Sequence, residues 1–254
     1  MNNTLVKGLG IVELLAHSER SLGLTEIATR LELAKSNVHR LLQALLEANY
    51  IARDEHSGRY SASIKLWELG SAVLSKLDLR RHAEQVMEQL LAESRETVHL
   101  SVLDGEEVVY VHKLDSMNPV RAYTQIGGRA QAHCVATGKA MLAFRPEASL
   151  ERISQSLKGR TRMTLVDPKK FLLEMARIRA QGFAVNRGEW NENVCGIASP
   201  VTDVSGGIVA ALGLSGPKER FKPAQLKIFA PLVVEAAARV SAHLGARSHM
   251  PTWR

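Results

Sequence analysis

Cysteine is almost missing from this chain of 254 residues, and Cys134 and Cys195 are the only two. They are too few for a disulfide framework and lack the paired CxxC spacing of a zinc site, so a reducing cytoplasm is the expected compartment. No apolar run approaches the roughly 18 residues a membrane span needs. The first residues do not form a signal peptide either, because Lys7 and Glu13 break the apolar stretch. Secretion and membrane insertion are therefore disfavoured.

Several catalytic signatures are also missing. The nine histidines show no HExxH spacing. Gly138-Lys139-Ala140 has no Ser or Thr after the lysine, and Gly127-Gly128 and Gly206-Gly207 lack the GK[ST] ending of a phosphate loop. Around Ser215 the first glycine of a GxSxG elbow is missing. No cofactor, metal or catalytic residue is expected.

What is present suits a folded protein: 45% hydrophobic and 23% charged residues, with a mean hydropathy of −0.09. Length sets a prior of one to two domains. The formal charge of +7 invites an acidic partner, yet it is diffuse. Residues 1–81 hold eleven Lys/Arg against nine Asp/Glu, and the rest hold twenty-two against seventeen. Charge alone does not locate a nucleic-acid surface.

Periodicity does more. Leu5, Leu9, Val12 and Leu15/Ala16 are spaced for a first helix over 4–16, and Thr25, read as an N-cap, opens a short second helix over 25–31. Val38, Leu41, Leu42, Leu45 and Leu46 form the apolar stripe of a third, the strongest periodic signal in the chain. Its other side carries Lys35, Ser36, His39, Arg40 and Gln43, with Asn37 at the shoulder. Such side chains bond phosphates and base edges, and a helix fits the major groove. Asn49 can end the helix in the left-handed conformation. Tyr50–Arg53 and Arg59–Ser61 then flank a polar, Gly-bearing turn that predicts a hairpin. Three helices and a hairpin describe a winged helix-turn-helix.

From 63 to 76 Leu66, Leu69, Val73 and Leu77, with Trp67 and Leu74 at the margin, predict a connecting helix whose wide stripe packs on a partner chain or, as the alternative, against its own domain. Another follows over 79–93, with Val86, Leu90 and Leu91 as anchors. Beyond it the pattern mixes strands and helices: a hairpin turning at Asp104–Glu107, helices at Ala136–Phe144 and Pro168–Gln181 with Gly182 as the stop, and strands at Val194–Val201 and Ile208–Leu214. A closing helix spans Pro223 to Leu244, where Pro231 predicts a kink or a late start. The fold class is α+β. The expected division is 1–62 for DNA binding, 63–78 for the linker and dimerisation helix, and 79–254 for effector binding.

Leu33–Leu42 is similar to the recognition-helix segment of the IclR family of bacterial transcription regulators, and Gly58-Arg59-Tyr60 to its wing. Gly127–His133 running into Ala136–Ala140, Gly182–Glu189 running into Gly196–Val201, and Gly213–Pro217 resemble motifs of its second domain, in order along nearly the whole chain. The resemblance implies a winged helix, a linker helix and a GAF-like effector domain. It also implies a homodimer or dimer of dimers on a double-stranded operator of a catabolic operon, answering to a small organic or aromatic acid.

Carried onto this sequence, DNA contacts fall to Thr25, Lys35, Ser36, Asn37, His39, Arg40, Gln43 and Arg59. The family's pocket segments fall on Ala136-Thr137-Gly138, Asn186, Val194-Cys195-Gly196, Gly213 and Ser215. Backbone N–H groups at a helix start and the Thr137 and Ser215 hydroxyls suit an anion. Asn186 stands where the family often has an acid, Gly196 where it often has Cys, and Gly213 where Ser can occur, which leaves room for a bulkier or more aromatic ligand.

The competing class is a small-molecule-sensing or hydrolytic enzyme that keeps the winged helix only for protein interaction. His133 and Cys134 are adjacent and Cys195 lies in a pocket segment, but neighbours on a strand face opposite ways, and a buried structural cysteine is the commoner state. His99 and His112 could approach across their hairpin as an ordinary cross-strand pair.

Overall fold

A computed structural model describes residues 3–76, 79–122 and 124–246, without side chains for Asn3 and 71–76. The chain divides into two compact units, Met1–Leu77 and Asp78–Arg254.

The first unit is built from α1 (Asn3–Ala16), α2 (Leu24–Arg30), α3 (Lys35–Glu47), β1 (Ile51–Arg53), β2 (Tyr60–Ala62) and α4 (Ile64–Lys76). Ile11, Leu15, Leu22, Ile27, Val38, Leu42, Ile51 and Tyr60 close its core. The α3 stripe packs as the spacing predicts, with Leu45 and Leu46 at the margin. On α1 the inner face is Ile11 and Leu15, flanked by Val12 and Leu14. Leu5 and Leu9, placed on that stripe by spacing, are over half exposed. The start of α2 also differs from expectation. Gly23 is the N-cap, and the Glu26 carboxylate accepts the Gly23 N–H at 3.1 Å. Thr25 is therefore an exposed first-turn residue, not a cap. Asn49 follows the last turn of α3 at φ 60°.

β1 and β2 form the wing, paired antiparallel from Ile51↔Ala62 to Arg53↔Tyr60. Its turn is set by Asp54, which accepts from the Ser57 N–H at 2.7 Å, and by Gly58 at φ 66°. Leu22 and Tyr60 exchange two backbone hydrogen bonds at 2.8 and 2.9 Å, fastening the wing to the α1–α2 connection. On α4 Leu66 is half-buried, while Ile64, Trp67 and Leu69 are exposed. The expected Val73 and Leu74 side chains, and Leu77, lie outside what is described.

The second unit comprises α5 (Leu79–Ser94), β3 (Thr97–Asp104), β4 (Glu107–Leu114), β5 (Arg129–Gln131), α6 (Ala136–Leu142), α7 (Glu147–Ser154), α8 (Pro168–Gln181), β6 (Ala184–Arg187), β7 (Val194–Thr202), β8 (Ile208–Pro217) and α9 (Pro223–His243). The strands form one six-stranded sheet in the order β5-β4-β3-β8-β7-β6, every neighbouring pair antiparallel. Gly105, at φ 62°, makes the two-residue β3–β4 turn. Gly182, at φ 77°, caps α8, whose start is fixed by the Asp167 side chain on the Lys170 N–H. Helix α9 begins at Pro223 and contains Pro231, so no late start occurs. The short β5, β6 and α7 are elements that periodicity did not reveal.

Helices α5 and α9 pack on one face of the sheet, and α6 with α8 on the other. Small residues of that second face, Ala184, Ala198 and Ala211, let the buried α6 lie close against the strands. This layer holds the expected effector residues apart from the Cys195 side chain.

Candidate DNA-binding and effector sites

Helix α3 presents Lys35, Ser36, His39 and Arg40 to solvent, with Asn37 and Gln43 half-buried beside them. Its other face is the core stripe, so the polar side is held outward by burial of Val38, Leu41 and Leu42. Thr25 is exposed on the preceding helix.

Arg59, expected on the wing surface, is tied inward instead. Its Nε donates to the Ser21 carbonyl at 2.9 Å and its Nη2 to the Glu26 carboxylate. Arg20 grips the same carboxylate at 2.7 Å. The hydrogen bond from Arg20, with help from the Gly23 N–H, holds the Glu26 carboxyl down at about 2. Arg53 is the wing cation left outward: it is exposed and lies over the Tyr60 ring at 5.8 Å. Arg59→Ala is therefore expected to lower the thermal midpoint of the first unit. Arg53→Ala should leave the midpoint in place and reduce the salt slope of DNA binding by about one phosphate contact. Melting curves and a salt titration on random duplex DNA separate the two; an unchanged slope for Arg53→Ala refutes the assignment.

In the second unit, Ala136, Thr137 and Gly138 form the buried first turn of α6. Asn186, Gly196, Ser215 and Thr97 stand directly opposite one another on β6, β7, β8 and β3, so they share the α6 face. The next row on this face is Ala184, Ala198, Gly213 and His99. Val194 also falls on it, whereas Cys195 pairs with Gly216 and Arg187 and points to the other face.

The glycines have a packing role. A Cβ on Gly196 would meet the Leu214 carbonyl at 2.9 Å, one on Gly213 the Ile197 carbonyl at 2.6 Å, and one on Gly138 the Ala132 carbonyl at 2.2 Å. The expectation that Gly196 and Gly213 leave room for a bulkier ligand is thus corrected, because backbone occupies that space. Asn186 is specialised as well. Its Oδ1 accepts the Glu189 N–H at 2.8 Å, which leaves the amide Nδ2 as a donor without a partner among the described residues. The buried Thr137 hydroxyl is likewise unpaired there.

Two features of this layer escaped the sequence. His99, 3% exposed, touches the Ser215 hydroxyl through Nε2 and Thr124 Oγ1 through Nδ1 at 3.3 Å. Burial, aided by the Lys113 charge, lowers its pKa to about 4, so the ring is neutral at physiological pH. Its register partner is Lys113, while His112 pairs with Leu100 and meets Glu84 at 2.8 Å. The two histidines thus face opposite sides of the sheet and do not form a cross-strand pair. Lys139 is fully buried, donating to the Val185 carbonyl at 2.6 Å and to Glu189 Oε1 at 2.8 Å, with Glu174 at 3.7 Å.

Both thiols are buried, and burial pushes Cys134 up to about 12 and raises Cys195. Protonated at neutral pH, they are poor nucleophiles. His133 is engaged with the Lys158 carbonyl at 3.0 Å. Among the described residues no three His, Cys, Asp or Glu side chains group as metal ligands, and no helix is long and apolar enough to cross a membrane.

A winged helix-turn-helix joined to an antiparallel sheet layered with helices is the build of a DNA-binding regulator with a sensor unit. Comparison with known proteins makes this specific. Residues 4–55 match the family model for the IclR helix-turn-helix domain, and residues 71–242 that for the bacterial transcriptional regulator IclR C-terminal domain. The chain belongs to the IclR family of transcriptional regulators. It is 35% identical over 245 residues to the HTH-type transcriptional regulator KdgR of Escherichia coli (strain K12), covering 96% of this chain and 93% of that protein. The Thermotoga maritima IclR structure superposes with a TM-score of 0.80 at 28% identity, covering 96% of this chain and 100% of the other. An IclR homolog from Microbacterium hydrocarbonoxydans, solved in complex with 4-hydroxybenzoate, shares the fold with a TM-score of 0.84 at 24% identity over 96% and 100% of the two chains.

Proposed function

We propose that this regulator reads a double-stranded operator through α3 and the wing, and that a small organic acid bound between α6 and the sheet changes that binding. The observation that carries the DNA part is the outward row of Lys35, Ser36, His39 and Arg40 on a helix whose other side is core. Arg40 is the candidate base or phosphate contact. Two copies would read two half-sites. Exposed Leu5 and Leu9 on α1 and Ile64 and Trp67 on α4 support a homodimer, because apolar residues on these helices otherwise meet water.

The effector part rests on donors. Asn186 Nδ2 and the Thr137 hydroxyl have no partner among the described residues, and Ser215 lies on the same face as Asn186. Acceptors on a carboxylate would satisfy them. The 4-hydroxybenzoate of the Microbacterium homolog is an acid of this kind. Cys195, turned to the opposite face, is dropped from the contact set except through its backbone. The enzyme alternative finds little support, since both thiols are buried and held protonated.

A mobility shift on the promoter region of the chain's own gene tests the reading. Arg40→Ala should weaken specific binding by about 1–3 kcal/mol, roughly fivefold to 150-fold, with little loss of stability, because Arg40 is exposed. Equal operator affinity for the variant would remove α3 as the reading face.

A further inference from the structure

The first unit holds a charged cluster beside the outward row of α3 and separate from it. Glu26, in the first turn of α2, is its centre. Arg20, in the α1–α2 connection, donates to it from Nη2 to Oε1 at 2.7 Å and from Nη1 to Oε2 at 3.4 Å. The Gly23 N–H donates to Oε2 at 3.1 Å, and Arg59 Nη2 reaches the same oxygen from the wing. Arg59 is fixed in turn by its Nε on the Ser21 carbonyl at 2.9 Å. Two guanidiniums against one carboxylate leave the cluster one net positive charge.

The members differ in what they leave open. The Glu26 and Arg59 side chains are each 34% exposed, whereas that of Arg20 is 61% exposed. Arg20 uses its two terminal nitrogens on Glu26, and its Nε has no partner among the described residues. Because a guanidinium is a rigid plane with five donors, the bonds to Glu26 on one edge set the direction of the edge that carries Nε. That outer edge matches two oxygens of a phosphate. Its place in the fold suits a duplex backbone. Helix α2 is the first of the helix-turn-helix pair, the one that crosses the phosphates, and the Leu22–Tyr60 bridge sets the Arg20 segment beside the wing. The Glu26 carboxyl is held down at about 2, so the Arg20 pair persists at neutral pH.

Resting on the DNA reading above, we infer that Arg20 is a backbone-phosphate contact, and that Glu26 fixes its direction and holds the cluster to one net positive charge. Arg20 takes the phosphate through Nε and a terminal nitrogen, while Arg59 stays bound to Ser21 and Glu26. Such a contact positions the duplex without reading its sequence. By cancelling one of two cations, Glu26 also restrains affinity for DNA of any sequence.

The test is a salt titration of the full chain on random duplex DNA, with thermal midpoints measured beside it. Arg20→Ala should make the slope of log affinity against log salt shallower by about 0.9, the share of one phosphate. Its midpoint should move little, because the Arg20–Glu26 pair is exposed. Arg20→Lys keeps the charge and should keep the slope, but an ammonium cannot fork to Glu26 and a phosphate together, so binding should weaken at every salt concentration. Glu26→Gln keeps an acceptor for the Gly23 N–H and should steepen the slope, since both guanidiniums then count. Loss of folded protein lowers the amount bound without altering the slope, which separates a purely structural role. An unchanged slope in Arg20→Ala or in Glu26→Gln overturns the inference, and so does Arg20→Lys binding as tightly as the parent. If Arg53→Ala lowers the slope and Arg20→Ala does not, the Arg20 contact alone falls. A parent chain without salt-dependent affinity for the duplex would remove the DNA reading with it.

Discussion

Replacing Lys139 with methionine is expected to cost the second unit about 3–5 kcal/mol of stability, because it strands a buried carboxylate. Glu189 is 7% exposed, and its Oε1 takes the Lys139 charge at 2.8 Å. Its Oε2 has no hydrogen-bond partner among the described residues, so little else compensates the group. Glu174, at 3.7 Å from the ammonium, has Arg177 at 3.2 Å as a second partner and suffers less. Adding Glu189→Gln to the lysine variant removes the stranded charge and should recover more than half of the loss, as neutral replacements of buried pairs commonly do. Denaturant unfolding of the single and double variants measures this. A single-variant loss under about 1 kcal/mol would mean that water reaches the pair.

The same ion pair shapes the proposed effector layer. Glu189 is held by Lys139 from α6, while its own N–H binds the Asn186 side chain. Thr161 and Thr164 donate to the Gly188 and Glu189 carbonyls at 2.7 Å and fix the turn from outside. The direction in which Asn186 offers its amide therefore depends on a charge pair fifty residues apart in sequence. Removing that pair is expected to weaken the effector response along with stability.

That separation explains what sequence could and could not show. The α3 stripe was legible because its five apolar residues repeat over three turns and leave the polar row in phase. On α1 the spacing put Leu5, Leu9, Val12 and Leu15/Ala16 on one stripe, but packing on α3 and the wing buries Ile11 with Leu15 and leaves Leu5 and Leu9 outside. β5 and β6 have three and four residues at the sheet edges, too short for alternation to register. Helix α7 buries little beyond Leu150 and Ile153.

The sites divide in the same way. Chemical character gave the polar row of α3, whereas the Thr137, Asn186 and Ser215 set came only from the family resemblance. Neither gave Lys139, which reads as half of a failed phosphate loop until Glu189 is beside it. Arg59 and Arg53 are alike in sequence, and the difference between them lies in the Ser21 carbonyl and Glu26, both contributed by residues more than thirty positions away. Glycines at 138, 196 and 213 look like ligand-facing turns, yet their missing Cβ atoms make way for backbone.

Acid should destabilise the second unit well before its carboxylates titrate, and His99 should carry most of the effect. The folded ring is neutral down to a pKa of about 4, against 6.5 for the free side chain, because burial and the Lys113 charge oppose the imidazolium. Between those two values the unfolded chain binds a proton that the folded chain does not, so stability falls as the pH drops through that window. The contribution is complete above pH 6.5, is lost progressively toward pH 4, and changes no further below it. A gap of that size corresponds to about 3 kcal/mol. His112, also lowered by burial, adds a loss of the same sign. Glu26 has its carboxyl held at about 2, so its contribution fails only in stronger acid and belongs to the other unit. His99→Asn keeps a polar amide near Ser215 and Thr124 but cannot take up the proton. Its unfolding free energy, followed by urea titration from neutral pH to pH 4, should fall with a clearly smaller slope than that of the parent, leaving the His112 share. Parallel slopes would show that the His99 ring is already protonated in the folded chain, with the Ser215 and Thr124 oxygens accepting from it.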